Sequence, residues 1–264
     1  MDAFWYGLIL GAVEGLTEFL PVSSTGHLII AGDLLNFTGE KASTFQVAIQ
    51  LGAILAVVCL YWERFLGLIK PQTGVNFAGW RGIWLLFLTT VPPGLAGLLL
   101  HSTVKALFNP ASVALALAVG AICMLIMEHR GEPDKVRDLD ALTPGLALGI
   151  GCFQCLALWP GFSRSAATIM GGMLLGVRRQ LAAEYSFLAA VPLMCAATGY
   201  DLLKNWQVLS VDDVPLFAWG GLFSFVFAII AVKGFITLLG RVTLRPFAWY
   251  RLALAPLVYW FLAN

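Results

Sequence analysis

The sequence predicts an all-α, polytopic integral membrane protein: six transmembrane helices plus two re-entrant helical hairpins in an inverted-topology repeat. Three observations predict it. Of 264 residues, 59% are hydrophobic and 12% charged, about half the charged fraction of a soluble domain, and mean hydropathy is +0.85. Six apolar stretches approach the length of about 20 residues that crosses a bilayer as a helix. Two further stretches resemble each other, and both are interrupted by Pro, Gly and hydroxyl residues where lipid should be.

The first interrupted stretch, 4–36, consists of short apolar segments 4–20 and 22–36 around Pro21, Ser23, Ser24 and Thr25. Spans at 44–62, 83–101 and 112–128 follow it. The second, 144–176, consists of 144–159 and 162–176 around Pro160, Gly161 and Ser163, and spans at 184–204, 215–235 and 247–263 follow. Irregular backbone at membrane depth survives only where protein or water covers it, so each interrupted stretch reads as a hairpin that enters and returns. An offset of 140 residues pairs Gly11 with Gly151, Glu14 with Gln154, Ser23 with Ser163, Thr25 with Ser165 and Gly32 with Gly172. The expectation is a single membrane domain over 1–264, with repeat one at about 1–128 and repeat two at about 141–264.

Charge gives the orientation. Arg64, Lys70, Arg81, Arg130, Lys135, Arg137, Arg178, Arg179, Arg241 and Arg245 fall on one side of the spans. Lys41, Lys105 and Lys204 fall on the other, with Asp33, Glu40, Asp212 and Asp213. Basic residues favour the cytoplasm, which puts both termini outside. The two hairpins then enter from opposite faces, each followed by three spans, and such folds set their site near the midplane where the broken helices meet. Met1–Asp2 lacks a basic leader region, so no cleavable signal is expected. Net charge is +1, which leaves no nucleic-acid footprint. The five cysteines lie in apolar runs and read as packing residues. No G-x-x-x-G pattern stands out above the general glycine richness, so oligomeric state is left open, a homodimer being allowed.

The chemistry concentrates at the two breaks. Glu14 and Glu18 share one helix face. In an apolar setting both do not ionise without a cation or a shared proton; they are either a polar stripe or, as intramembrane acids, functional. Carboxylates suit Mg²⁺ or Ca²⁺, and Mg²⁺ is commonly held by one or two carboxylates plus substrate phosphates, so the pair is the expected metal site. Ser23, Ser24 and Thr25 open the next segment; a cap explains one of them. Helix N-terminal amides favour an anion, and a hydroxyl there can be a nucleophile if a base takes its proton. His27, one turn after Ser24, is either a packing residue or an acid–base group.

Arg164 lies between Ser163 and Ser165 in the second break. A charge near the bilayer centre costs about 3 kcal/mol or more, and a guanidinium fork matches phosphate oxygens. Arg164 can also pair with Glu14 or Glu18. Gln154 stands where the first copy has an acid and can orient water or substrate, and Thr168, one turn past Ser165, is a weaker candidate. Inverted repeats with half-helices meeting at midplane are also a transporter design, so an anion transporter, or a flippase for a phosphorylated lipid, is the competing class.

The segments E-G-L-T-E-F-L-P-V-S-S-T-G-H (14–27) and F-Q-C-L-A-L-W-P-G-F-S-R-S-A-A-T (153–168), with F-x-V-x-I-Q-L-G at 45–52, resemble the BacA/UppP family of undecaprenyl-diphosphate phosphatases. The resemblance covers essentially the whole chain. It implies hydrolysis of undecaprenyl diphosphate to undecaprenyl phosphate and inorganic phosphate, recycling the lipid carrier for cell-wall synthesis and raising bacitracin resistance. It also implies a bacterial inner membrane, a site open to the periplasm, and a divalent cation requirement. The family's motifs carry over to Glu14, Glu18, Ser23, Ser24, Thr25, His27, Ser163, Arg164, Ser165 and Thr168. The expected roles are the cation on Glu14 and Glu18, charge neutralisation by Arg164, attack by Ser24, and proton removal by His27 or Glu18, with direct attack by water as the alternative.

Overall fold

A computed structural model describes residues 2–70, 74–131 and 135–263. Met1 and Asn264, at the outer ends of the two expected repeats, lie outside the described residues. The described chain is all-α, apart from an isolated parallel bridge between Val136 and Val177. The helices run α1 (Ala3–Thr17), α2 (Ser24–Leu34), α3 (Glu40–Leu60), α4 (Trp62–Ile69), α5 (Gly79–Leu99), α6 (His101–Ala106), α7 (Pro110–His129), α8 (Pro144–Gln154), α9 (Arg164–Leu174), α10 (Arg179–Asn205), α11 (Val214–Leu239) and α12 (Arg245–Ala263).

Five of these segments are long and apolar enough to cross a bilayer: Glu40–Leu60, Gly79–Leu99, Pro110–His129, Arg179–Asn205 and Val211–Leu239. They match the first five expected spans, and α12, at 19 residues, covers the stretch expected as the sixth. Large apolar side chains such as Trp80, Leu99, Ile126 and Leu203 are exposed on helix surfaces. In water such a surface would associate; in lipid it is the solvated one. The protein is therefore a multi-pass membrane protein.

The helices begin up to five residues earlier than hydropathy alone places them, since polar residues extend their first turns, and turn or capping residues mark several starts. Gly39, at φ 97°, turns the chain into α3, a conformation open to glycine without steric cost. Asn109 accepts the Ser112 amide at 2.9 Å ahead of Pro110, and Thr143 accepts the Leu146 amide at 3.3 Å ahead of Pro144. Two short helices escaped the hydropathy reading. One is α4, whose Trp62, Leu66 and Ile69 are exposed, as in a helix lying at a membrane interface; the other is α6.

Matched positions make matched contacts. Under the 140-residue offset, α1 corresponds to α8, α2 to α9, α3 to α10, α5 to α11 and α7 to α12. Helix α1 packs on α11 and α8 on α5; α3 packs on α11 and α10 on α5; α2 packs on α12 and α9 on α7. Helices α3 and α10 meet each other, as do α7 and α12. Each hairpin thus leans on helices of the opposite half, which brings the two breaks together.

Helices α1 and α11 approach closely because Gly7, Gly11 and Gly15 recur every fourth residue along α1. A Cβ on Gly11 would lie 2.5 Å from the Gly220 carbonyl oxygen, and one on Gly15 would strike that of Ser224. This G-x-x-x-G-x-x-x-G stripe was not singled out in the sequence; small residues let helix backbones approach in lipid, and here the stripe is used within the chain. Gly11→Ala should lower stability by about 1–3 kcal/mol, since the clash is with backbone that cannot turn aside. Thermal unfolding in detergent checks it, an unshifted midpoint being the contrary result.

Candidate active site

Both hairpin tips are built on the same unusual residue. Ser23 has φ 73° and Ser163 φ 77°. Each caps the following helix, Ser23 Oγ accepting the Gly26 amide at 3.4 Å and Ser163 Oγ the Ala166 amide at 3.3 Å. A non-glycine residue in the left-handed region costs about 1–3 kcal/mol and persists where surrounding structure holds it, most often at functional sites. The first turns of α2 and α9 begin at these tips, and the amides of a helix N-terminus favour an anion.

The tips touch. The Ser24 hydroxyl donates to Glu18 Oε2 at 2.6 Å, a short charge-assisted bond. Arg164 Nη2 donates to the other oxygen of the same carboxylate, Glu18 Oε1, at 3.0 Å. Arg164 Nη1 donates to the Ser186 carbonyl at 3.0 Å and its hydroxyl at 3.2 Å, and the guanidinium lies 5.3 Å from the centre of the Phe19 ring. Ser165 Oγ donates across the tips to the Leu20 carbonyl at 2.8 Å and lies 3.1 Å from Ser163 Oγ. Glu18, Ser24 and Arg164, 146 residues apart at the extremes, thus form one chain of hydrogen bonds, in which a hydroxyl faces a base and a fixed cation lies beside both.

The remaining candidates divide. Thr168 Oγ1 bonds Ser186 Oγ at 2.6 Å and the Arg164 carbonyl at 3.0 Å, so it steadies the arginine's supports. Thr25 is half-buried on the first turn of α2, outside these bonds. Gln154 is fully buried, and its Nε2 donates to the Thr89 carbonyl at 3.1 Å, apart from Glu18 and Ser24. Glu14 is fully buried, and neither carboxyl oxygen has a hydrogen-bond partner. A carboxylate so placed calls for a proton or a cation, and two carboxylates one turn apart form a donor set of the hard, oxygen-only type that Mg²⁺ and Ca²⁺ take. The residues therefore fit a divalent cation.

His27 is turned away from Ser24. Its Nδ1 lies 2.7 Å from the Ser23 carbonyl, which can only accept, so the proton is on Nδ1 and Nε2 accepts from the Tyr250 hydroxyl at 2.6 Å. The His27 and Tyr250 rings stack at 5.6 Å with 9° between planes. Both line an apolar cleft of about 620 Å³ with Leu16, Leu20, Phe235 and Phe247, opening beside the first tip. A wider pocket of about 950 Å³ by Tyr61, Arg64 and Glu184 includes none of these polar groups. With both ring nitrogens engaged and Ser24 already bonded to Glu18, His27→Ala should reduce turnover by about tenfold, well short of the 10²–10⁴-fold range of a general base. Steady-state phosphate release checks this; a loss as deep as that of Glu18→Gln would contradict it.

Three residues at or beside the tips were not foreseen: Ser186, which orients Arg164, Tyr250, which holds His27, and Arg251, which is fully buried. Arg251 carried a usable signal, since a charge within an expected span is a functional candidate by default. Ser186 and Tyr250 carried none in an apolar run.

An all-α polytopic membrane protein with a serine, a carboxylate and an arginine gathered at two helix breaks defines a class of intramembrane site suited to a phosphorylated lipid. The family model described as "Bacitracin resistance protein BacA" matches residues 7–257, and the chain belongs to this family. It is 70% identical over 256 residues to the undecaprenyl-diphosphatase of Nitratidesulfovibrio vulgaris (strain Hildenborough), covering 97% of each chain. It is 64% identical over 265 residues to that of Desulfovibrio desulfuricans, covering 100% of each, and 62% identical over 255 residues to that of Lawsonia intracellularis, covering 96% of each.

Proposed function

We infer that this protein hydrolyses undecaprenyl diphosphate to undecaprenyl phosphate and inorganic phosphate. Membership of the BacA family and relatives named undecaprenyl-diphosphatase over the full chain support the reaction. One observation carries the assignment of the site: Ser24 and Arg164, from opposite hairpins, bond the two oxygens of the single Glu18 carboxylate.

The proposed sequence begins with the diphosphate headgroup at the tips and the polyprenyl chain among apolar helix faces. Ser24 Oγ attacks the terminal phosphorus while Glu18 Oε2 receives the hydroxyl proton. The bond from that phosphorus to the bridging oxygen breaks, and undecaprenyl phosphate leaves. Water then attacks the phosphoserine; the serine oxygen leaves with the proton returned from Glu18, the attacking water gives its excess proton to bulk water, and inorganic phosphate departs with Ser24 and Glu18 restored. Arg164 shifts its donors to the equatorial oxygens, where charge develops, joined by the first-turn amides of α2 and α9. Fixed donors aimed at developing charge are the chief requirement of phosphoryl transfer. Ser163 and Ser165 set the second tip, with Thr168 behind Arg164, while Ser23 and Thr25 shape the first; Gln154, bonded to the Thr89 carbonyl, ties α8 to α5 behind the second tip. Glu14 and Glu18 would hold a Mg²⁺ or Ca²⁺ ion, which supplies charge neutralisation at the diphosphate. Binding of the polyprenyl tail contributes affinity but does not separate ground from transition state.

Membership of the family supports a bacterial inner-membrane location with the site open to the periplasm, the basic-residue bias supports both termini lying outside, and the matched contacts of the halves support an inverted repeat. The reaction would recycle the lipid carrier of cell-wall polymers and, by removing the diphosphate lipid, raise tolerance to bacitracin. The transporter alternative is not favoured.

The test is release of phosphate from a C55 diphosphate by purified protein in detergent. Turnover should stop on addition of a chelator and return with excess Mg²⁺ or Ca²⁺. Saturable lipid binding without phosphate release would contradict the reading, and undiminished turnover in chelator would remove the cation from it.

A further inference from the structure

Arg251, on α12, has no part in the chemistry above, yet it is the largest fully buried side chain among the described residues. No carboxylate accepts from it among the described residues. Its guanidinium is held by backbone carbonyls: Nη1 donates to Pro21 at 3.4 Å, Nη2 to Gly161 at 3.1 Å and to Ala116 at 3.2 Å, and Nε to Leu117 at 3.2 Å. The charge also lies 6.0 Å from the centre of the Phe162 ring. Space for it comes from Gly120 on α7, where a Cβ would strike Nη2.

Two of those acceptors matter. Pro21 and Gly161 occupy matched positions, 140 residues apart, at the tips of the two hairpins. Pro21 lies three residues after Glu18 and three before Ser24, and Gly161 three before Arg164. One planar fork therefore spans the tips on the side facing α7 and α12. The position matched to Arg251 in the first half is Ala111, so the bridge is made once, from one half only.

We propose that Arg251 is a positioning residue that holds the two hairpin tips in register through turnover. This rests on the phosphatase reading of the tips. Two other hydrogen-bond links cross between them among the described residues, Glu18 to Arg164 and Ser165 to Leu20; the first uses side chains engaged in the reaction, and the second is a single hydroxyl bond. When Arg164 turns to phosphate oxygens it loosens its hold on Glu18, whereas Arg251 meets both tips through backbone carbonyls, its one side-chain acceptor among the described residues being the Met124 sulfur at 3.9 Å. Five donors in a fixed plane suit that task; the point charge of lysine cannot reach carbonyls on two sides at once.

The experiment compares Arg251→Lys and Gly120→Ala, the first removing the fork and the second displacing it, for phosphate release from a C55 diphosphate. A shift of the tips by about 1 Å is enough for a loss near 10²-fold. Both folded variants should show kcat lowered about ten- to a hundredfold with KM within about threefold, the signature of lost transition-state alignment. The double variant should be no worse than the poorer single one, because both act on one link. A merely structural arginine would lower the unfolding midpoint and leave kcat per folded molecule unchanged. Values of kcat within about twofold of wild type in both variants, or additive losses, overturn the proposal. Wild-type protein that releases no phosphate would instead sink the phosphatase reading. If neither variant accumulates, hydrogen exchange on Arg164→Ala decides. The Val22 and Phe162 amides should stay as protected as in wild type, because the Arg251 bridge persists; exchange about tenfold faster at both overturns it.

Discussion

Arg164→Ala will lower phosphate release by about 10³-fold or more, the scale on which an arginine acts in phosphoryl transfer. Its Nη2 bonds Glu18 and its Nη1 bonds Ser186, so the cation is fixed before substrate arrives and little reorganisation accompanies the reaction. Arg164→Lys will recover little of the loss, since one ammonium cannot hold Glu18 on one side and the Ser186 carbonyl and hydroxyl on the other. Removing the arginine also leaves Glu18 buried without its partner, and breaking such a pair costs about 3–5 kcal/mol. Pairing the change with Glu18→Gln relieves that cost without restoring activity, so stability and catalysis separate. Steady-state kinetics with unfolding midpoints on the three variants provide the check. An Arg164→Lys enzyme within about tenfold of wild type would show that charge alone matters and that the fork does not.

The second large effect belongs to Glu18. Glu18→Gln keeps nearly the same shape but cannot take the Ser24 proton, and turnover should fall by about 10²–10⁴-fold. The 2.6 Å contact from the Ser24 hydroxyl to Glu18 Oε2 is the reason to place the base here and not on His27, whose Nε2 is occupied by Tyr250. The loss should lie in kcat with KM little changed, because the proton transfer belongs to the transition state. A Glu18→Gln protein whose deficit lies wholly in KM would assign the carboxylate to binding.

How much of this was legible beforehand depended on whether a residue violated its surroundings. Arg164 between two serines, and Glu14 with Glu18 in an apolar run, contradict the solvent they occupy, and that contradiction is readable without coordinates. The pairing of Ser23 with Ser163 was visible as a repeat, but the shared positive φ was not, because serine at a helix start is also an ordinary cap. The choice between His27 and Glu18 as base stayed open, since one turn of helix brings a side chain near without deciding which way its ring faces. Ser186 and Tyr250 come from α10 and α12, and only tertiary packing delivers them. The Gly7, Gly11 and Gly15 stripe was hidden by a chain with 27 glycines. Arg251 was open to notice by the same rule that marked Arg164; what could not be read was that its partners are carbonyls at both tips.

At the centre of the mechanism is an attacking serine activated by a carboxylate from its own hairpin and faced by an arginine from the other. Rapid quenching with undecaprenyl diphosphate labelled at the terminal phosphorus tests it most directly. Label should appear on the protein within the first turnover, map to Ser24, and vanish in Ser24→Ala together with all but a residual rate. Phosphate released in a first turnover that leaves the protein unlabelled, with Ser24→Ala still active, would contradict it and hand the attack to water.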